Sequence, residues 1–305
     1  MKDLAKLRTA LVYDRVNKWG GAERLLLALH RLFPQAPLYT SVYNPDTAPW
    51  ASVFKIYPSF ISRIPFLRSR HELIPFLMPF AFESFDFSSY ELVISVTSAE
   101  AKGIISRPET LHVCYCLTPT RYLWVKQPTS SYHSFGLLDP LAHLVKKPAL
   151  NMLRAWDLIA KHRPDAYVAI SSLVQSRLKK HYQVDAPVVY PPLDDSAVGS
   201  SSYPGEYFLV VTRLVGYKRV DLAIKVATKL KRPLKVVGIG PELARLKQIA
   251  GPTIEFLGQV DDSQLSLLYS RCQVVIVPGE EEFCLTALEA QGSGKPVIAY
   301  AQSGV

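Results

Sequence analysis

Short apolar runs alternate with longer stretches of helical spacing along most of the chain, most regularly after residue 205. Apolar runs at 207–212, 234–237, 254–257, 274–277 and 296–300 predict strands. The segments between them, about 220–230, 242–250, 263–270 and 283–292, carry apolar residues at helical intervals and predict helices. The run at 274–277 has the length and β-branched content of a buried parallel strand. Strands alternating with helices of this length predict βαβ units, and therefore an α/β fold.

The first half is less regular. A strand at 9–13 runs into a loop containing Gly20 and Gly21 and then a helix whose apolar face is Leu25, Leu26, Leu29 and Leu32. Glycines there let backbone N–H groups approach an anion at a helix N-terminus. Further strands are expected at 91–96 and 112–116, and helical segments at 138–162 and 171–182. The stretch 53–85 is aromatic and aliphatic, with Arg63, Arg68, Arg70 and His71 interspersed, and Pro58, Pro65, Pro75 and Pro79 break it into short pieces. Pro191-Pro192 and the Ser/Gly-rich run after it read as an interdomain linker. The expected organisation is a domain at 1–192, a linker at 193–205 and a domain at 206–305.

A chain of 305 residues with 49% hydrophobic composition has the material for two such cores. The four cysteines, Cys114, Cys116, Cys272 and Cys284, form no C-x-x-C pair and supply no disulfide framework, which suits a reducing cytoplasm. The polar, basic N-terminus gives no signal peptide, and no apolar stretch reaches the roughly 18 residues of a membrane span. Net charge is +9, and residues 1–195 hold 23 Lys or Arg against 16 Asp or Glu, leaving 12 against 10 for the remainder. A basic first half suits an anionic membrane surface or a diphosphate-bearing acceptor. Nucleic acid is not expected as a partner, because basic helices, zinc spacing and RNA-binding aromatic motifs are missing.

Candidate chemistry concentrates at 278–299, PGEEEFCLTALEAQGSGKPVIA, where Glu280, Glu281 and Glu282 stand between a strand and a helix. Ligands of open α/β sheets bind beyond the C-terminal ends of strands, although acids at this position also stabilise a helix dipole. Upstream, Arg213 and Lys218 lie in the loop after the strand at 207–212, a fork and a point charge suited to an anion. Gly238 and Gly240 follow the next strand, but the third glycine of a dinucleotide fingerprint is missing, which argues against a nicotinamide oxidoreductase.

Glu281 and Glu289, with seven residues between them that include Phe283 and Leu285, and GKPVIA after, resemble the E-x7-E signature of the retaining glycosyltransferases of family 4. GGAER at 20–24, TPTRY at 118–122 and the Arg213, Lys218 pair resemble that family's motifs in the same order. The resemblance implies the GT-B architecture, two Rossmann-like domains with parallel sheets facing a cleft. It also implies a nucleoside-diphosphate sugar as donor, with no cofactor and no metal ligands. Arg213 and Lys218 would hold the diphosphate, Glu281 the transferred sugar and Glu289 the ribose. Gly20, Gly21, Arg121, Gly238, Leu257, Phe283, Cys284 and Leu285 would line the substrate sites. The family branch implies a hexose donor, mannose first, and a lipid-linked glycan acceptor in cell-surface polysaccharide synthesis. It implies a cytoplasmic enzyme, peripheral on the inner face of the membrane. Three departures stand out: Leu117 replaces the usual histidine, Cys284 replaces a glycine, and Val305 falls before the family's last elements, so that an incomplete second domain is expected. A catalytically weak homologue that binds nucleotide or a partner without turnover is the alternative.

Overall fold

The computed structural model describes residues 7–65, 68, 74–125, 139–193 and 205–304, with the side chains of 139–147 excepted. The described residues fall into two compact units, one ending at Pro191 and the other beginning at Pro192. Arg70, His71 and nearly all of the expected linker lie outside the described residues.

The first unit is built on six parallel strands: β1 (Thr9–Tyr13), β2 (Leu38–Thr40), β3 (Ile56–Pro58), β4 (Leu92–Thr97), β5 (Leu111–Cys116) and β6 (Ala166–Ala169), in the order β3-β2-β1-β4-β5-β6. Its helices are α1 (Gly21–Leu32), α2 (Met78–Glu83), α3 (Arg121–Trp124), α4 (Asp139–Ala160) and α5 (Ser172–Tyr182). β2 and β3 have only three residues each, too few for a sequence pattern to announce, and Pro58 is tolerated because β3 is an edge strand. One core cluster joins Ala10, Val12 and Val93 of the sheet to Phe82, Phe87 and Ile104. Among the described residues the proline-punctuated stretch forms short helical turns at Phe60–Arg63 and Pro75–Leu77 and the α-helix α2.

The second unit has five parallel strands: β7 (Tyr207–Val211), β8 (Leu234–Val237), β9 (Ile254–Gly258), β10 (Cys272–Val277) and β11 (Val297–Ala299), in the order β11-β10-β7-β8-β9. Between them lie α6 (Val220–Leu230), α7 (Leu243–Ile249), α8 (Asp262–Arg271) and α9 (Leu285–Gly292). β7 accounts for its own apolar run. Tyr207 and Leu209 pack with Val275, Val277, Ala287 and Ala290 on one face, and Val210 packs with Ala223, Ile224, Ala227 and Val236 on the other. Each such side chain contributes about 1.5–3 kcal/mol on burial, which is why neither face tolerates a polar alternate. Asp261 caps α8 by accepting from the Gln264 N–H at 2.8 Å, one of the two roles the sequence allowed it.

Candidate functional site

In both sheets the first strand sits inside the order, and the chain builds outward from it in two directions. The point of reversal lies between β1 and β4 in the first unit and between β7 and β10 in the second. Loops leaving neighbouring strands diverge at such a point and open a crevice beyond the strand ends.

In the second unit the loops after β7 and β10 bring together residues that the sequence singled out. Lys218 ends a helical turn at Gly216–Lys218, and its ammonium pairs with the Glu281 carboxylate, both side chains being largely buried. The approach depends on Gly279, where a Cβ would overlap the Lys218 backbone. Glu281 is fixed through its main chain: its N–H donates to Ser303 Oγ at 2.9 Å, and its carbonyl accepts from the Gly304 N–H at 2.7 Å. Arg213, exposed on the same loop as Lys218, donates to the Tyr217 hydroxyl at 2.9 Å, and Lys218 Nζ lies 5.1 Å from the Tyr217 ring centroid. Tyr217 therefore spaces the two cations, a role its place between them in sequence did not disclose.

The loop after β8 interlocks with the loop after β7. Gly238 has φ of 132°, and a Cβ there would overlap the Thr212 carbonyl oxygen. Its N–H donates to the Gly258 carbonyl at 2.7 Å, which ties the β8 end to β9, where Leu257 packs on the core. Gly238 thus serves the close approach of two loop backbones.

Acidic residues are expected in the first turn of the helix after β10, but α9 starts at Leu285 and its first turn contains none. Glu280, Glu281 and Glu282 sit in the preceding loop, which removes the helix-dipole account of them. Phe283 is half-buried, and Cys284 is the N-cap of α9 with φ of −108°, a value open to any residue, so no glycine is needed there. Burial pushes the Cys284 thiol up to about 12. Glu289 is buried on α9 and accepts from the Tyr269 hydroxyl at 2.8 Å. That hydroxyl is held above its ordinary pKa by burial first and the Glu289 charge second. Tyr269 carried no motif signal; its position on α8 becomes meaningful only when α8 packs beside α9.

Gly20, Gly21 and Arg121 belong to the first unit. Gly20 is the N-cap of α1, which has no side-chain cap, and Arg121 opens α3 with its N–H on the Ser98 carbonyl at 3.1 Å. Two acids missed in the sequence organise this crevice. Asp14, directly after β1, accepts from Thr97 Oγ1 at 2.8 Å, Ser98 N–H at 2.7 Å and Ala101 N–H at 2.9 Å, joining the loops that follow β1 and β4. Glu100 is fully buried, receives Arg15 at 3.0 Å and Tyr122 at 2.7 Å, and has a carboxyl held above the ordinary range by burial. Farther in, buried Lys102 pairs with Asp157 at 2.6 Å, and Asp157 also accepts from Thr120, Trp124 and Tyr182. The 118–124 tract is thereby anchored to α4. Leu117, at the departure from the resembled pattern, is half-buried.

Comparison with known proteins bears on the second unit most directly. Residues 198–305 match the family model described as "Glycosyl transferases group 1". That match takes in the whole of the second sheet. The GDP-mannose-dependent alpha-mannosyltransferases of Mycolicibacterium smegmatis and Mycobacterium tuberculosis are similar over 90 residues, at 37% and 40% identity, covering 29% of this chain and 24% of each relative. The chain thus spans about a quarter of the length of these curated relatives. Among solved structures, Anabaena Alr3699/HepE in complex with UDP and glucose superimposes with a TM-score of 0.66 at 16% identity, covering 97% of this chain and 82% of that one. Sucrose-phosphate synthase from Thermosynechococcus elongatus gives 0.66 at 15% identity with the same coverage. The fold, two α/β units on parallel sheets, is the one shared by GT-B glycosyltransferases. Among the described residues no cluster of metal-ligating side chains occurs, and no helix is long and apolar enough to cross a membrane.

Proposed function

We propose that the chain transfers a hexose from a nucleoside-diphosphate sugar to a glycan acceptor, with retention of the donor's anomeric configuration. The observation that carries this reading is the convergence of Arg213, Lys218 and Glu281 at the point of reversal of the second sheet, inside the segment that matches the group 1 family model. Departure of the sugar leaves new charge on the diphosphate, and Lys218 with Arg213 stabilises it where it develops, without a metal ion. Glu281, next to Lys218, meets the hydroxyls of the transferred sugar, and Glu289, oriented by Tyr269, meets the ribose. A donor phosphate oxygen takes the acceptor's proton on the face that the leaving group vacates, so no protein nucleophile is assigned.

The two mycobacterial relatives favour GDP-mannose as donor, whereas the Anabaena neighbour holds UDP and glucose. A lipid-linked acceptor at an anionic membrane is supported by Phe60, Ile64, Phe76 and Phe80, large apolar side chains left exposed, and by exposed Arg63 between the first two in the chain. Salt-sensitive flotation with anionic liposomes tests that part. Calorimetry with GDP, UDP and GDP-mannose, followed by measurement of free sugar released in the same samples, tests the transferase. Binding of one nucleoside diphosphate that is lost in Arg213→Ala, together with sugar release, supports it; no binding of any of them overturns it. Leu117 favours a second reading, nucleotide binding without turnover, because leucine cannot offer the hydrogen bond of a histidine. Binding without sugar release would decide for that reading.

A further inference from the structure

Trp19 stands in the loop after β1, immediately before Gly20 and the uncapped N-terminus of α1, at the point of reversal of the first sheet. It is 39% exposed. An indole exposed to that extent in a loop beside a crevice gains nothing from solvent, yet this one is held in place from several sides. Its ring centroid is 6.1 Å from that of Trp50, tilted by 50°, and the Arg24 guanidinium lies 5.8 Å from it. Trp50 is itself pinned. Its indole N–H donates to the Lys18 carbonyl at 2.7 Å, and its ring meets Phe54 edge-on at 6.2 Å. The hydrogen bond to Lys18 fixes the backbone one residue ahead of Trp19, so the loop presents that ring in a set position.

A rigid, partly exposed indole with a guanidinium over one of its faces matches the chemistry of a pyranose on its remaining surface. The axial C–H groups of the sugar pack on the π face, and its ring hydroxyls accept from and donate to the polar rim. A rigid aromatic gives large contact area while losing little conformational entropy. We propose that Trp19, supported by Trp50 and with Arg24 over one face of its ring, is the platform on which a pyranose of the acceptor glycan stacks. The proposal rests on the glycosyl-transfer reading for the word acceptor, and its physical content is sugar binding at Trp19.

The test is saturation-transfer NMR on the full 305-residue chain, with methyl α-D-mannopyranoside and methyl β-D-glucopyranoside as probes and GDP and UDP titrated separately by calorimetry. Saturation should pass from the protein to the C–H protons of at least one pyranoside. Trp19→Ala should reduce that signal at least fivefold, and Trp19→Phe should restore most of it. Thermal unfolding of both variants close to the native chain would separate loss of a platform from loss of fold. Absence of signal in the native chain, or equal signal in Trp19→Ala, overturns the proposal. So does nucleotide binding in the calorimeter that is lost in Trp19→Ala while no pyranoside shows saturation. Pyranoside binding without nucleotide binding would leave the platform standing and overturn the transferase reading instead.

Discussion

Lys218 and Glu281 form an ion pair between the loops that follow β7 and β10, strands that are neighbours in the sheet and far apart in the chain. The cation proposed to receive a diphosphate is therefore already paired with a carboxylate. A charged hydrogen bond contributes about 1.5–3 kcal/mol, so Lys218→Ala should weaken nucleoside diphosphate binding about tenfold to a hundredfold. Glu281→Gln keeps the shape and removes the competing charge. Calorimetry should find the sugar-free diphosphate bound at least as tightly by that variant, while sugar release from the full donor falls about a hundredfold. If Glu281→Gln weakened diphosphate binding as much as Lys218→Ala, competition for Lys218 would be the wrong account.

Asp157 is buried and gathers Lys102, Thr120, Trp124 and Tyr182. Lys102 is held charged by Asp157 against the opposing pull of burial. Breaking a buried pair by removing one member costs about 3–5 kcal/mol, and Asp157→Leu should lose that much in urea unfolding. Lys102→Met with Asp157→Leu should lose less than the two single changes summed, since neither charge is then stranded. Strict additivity in that cycle would show that the pair is not coupled.

His112 is buried in β5, with Nε2 2.8 Å from Ser95 Oγ and no hydrogen-bond partner for Nδ1 among the described residues. Burial lowers its pKa from the ordinary 6.5 to about 4. Between those values the unfolded chain binds the proton and the folded one does not, so stability falls as pH falls. The contribution is complete above pH 6.5 and is lost on acidification toward pH 4, amounting to about 3 kcal/mol. Urea unfolding between pH 7 and 4 should show the native chain losing more stability than His112→Gln. Parallel curves for the two would contradict the burial of a neutral imidazole.

Gly238 and Gly258 both have positive φ, 132° and 70°, but only Gly238 has backbone in the way of a Cβ. Gly258→Ala should cost about 1–2 kcal/mol for the left-handed conformation alone. Gly238→Ala should cost more, about 3–5 kcal/mol, because the loops after β7 and β8 must separate. It should also weaken nucleotide binding, which Gly258→Ala should leave nearly unchanged. Equal losses of stability would mean that the two loops do not interlock.

Most of the second unit was legible in the sequence, because β7, β8 and β10 are buried on both faces and α6 packs one continuous apolar face on the sheet. The short strands β2 and β3 were not, since three residues carry no period and their place is set by pairing with β1. The E-x7-E spacing located Glu281 and Glu289 but not their settings. One stands in a loop, its main chain tied to Ser303 and Gly304; the other is buried under Tyr269. Asp14 and Glu100 escaped notice because an acid after a strand means little until the donors around it are known.

The sequence by itself determined the alternation of elements and the residue types at the strand ends, since hydrophobic period and turn chemistry are local properties of the chain. Only the tertiary structure decided which loops meet. The order β10-β7 sets Lys218 beside Glu281, and β1-β4 sets Asp14 beside Ser98. Strand order is fixed by which faces bury best against which helices, a sum over the whole sheet that no local stretch of sequence contains.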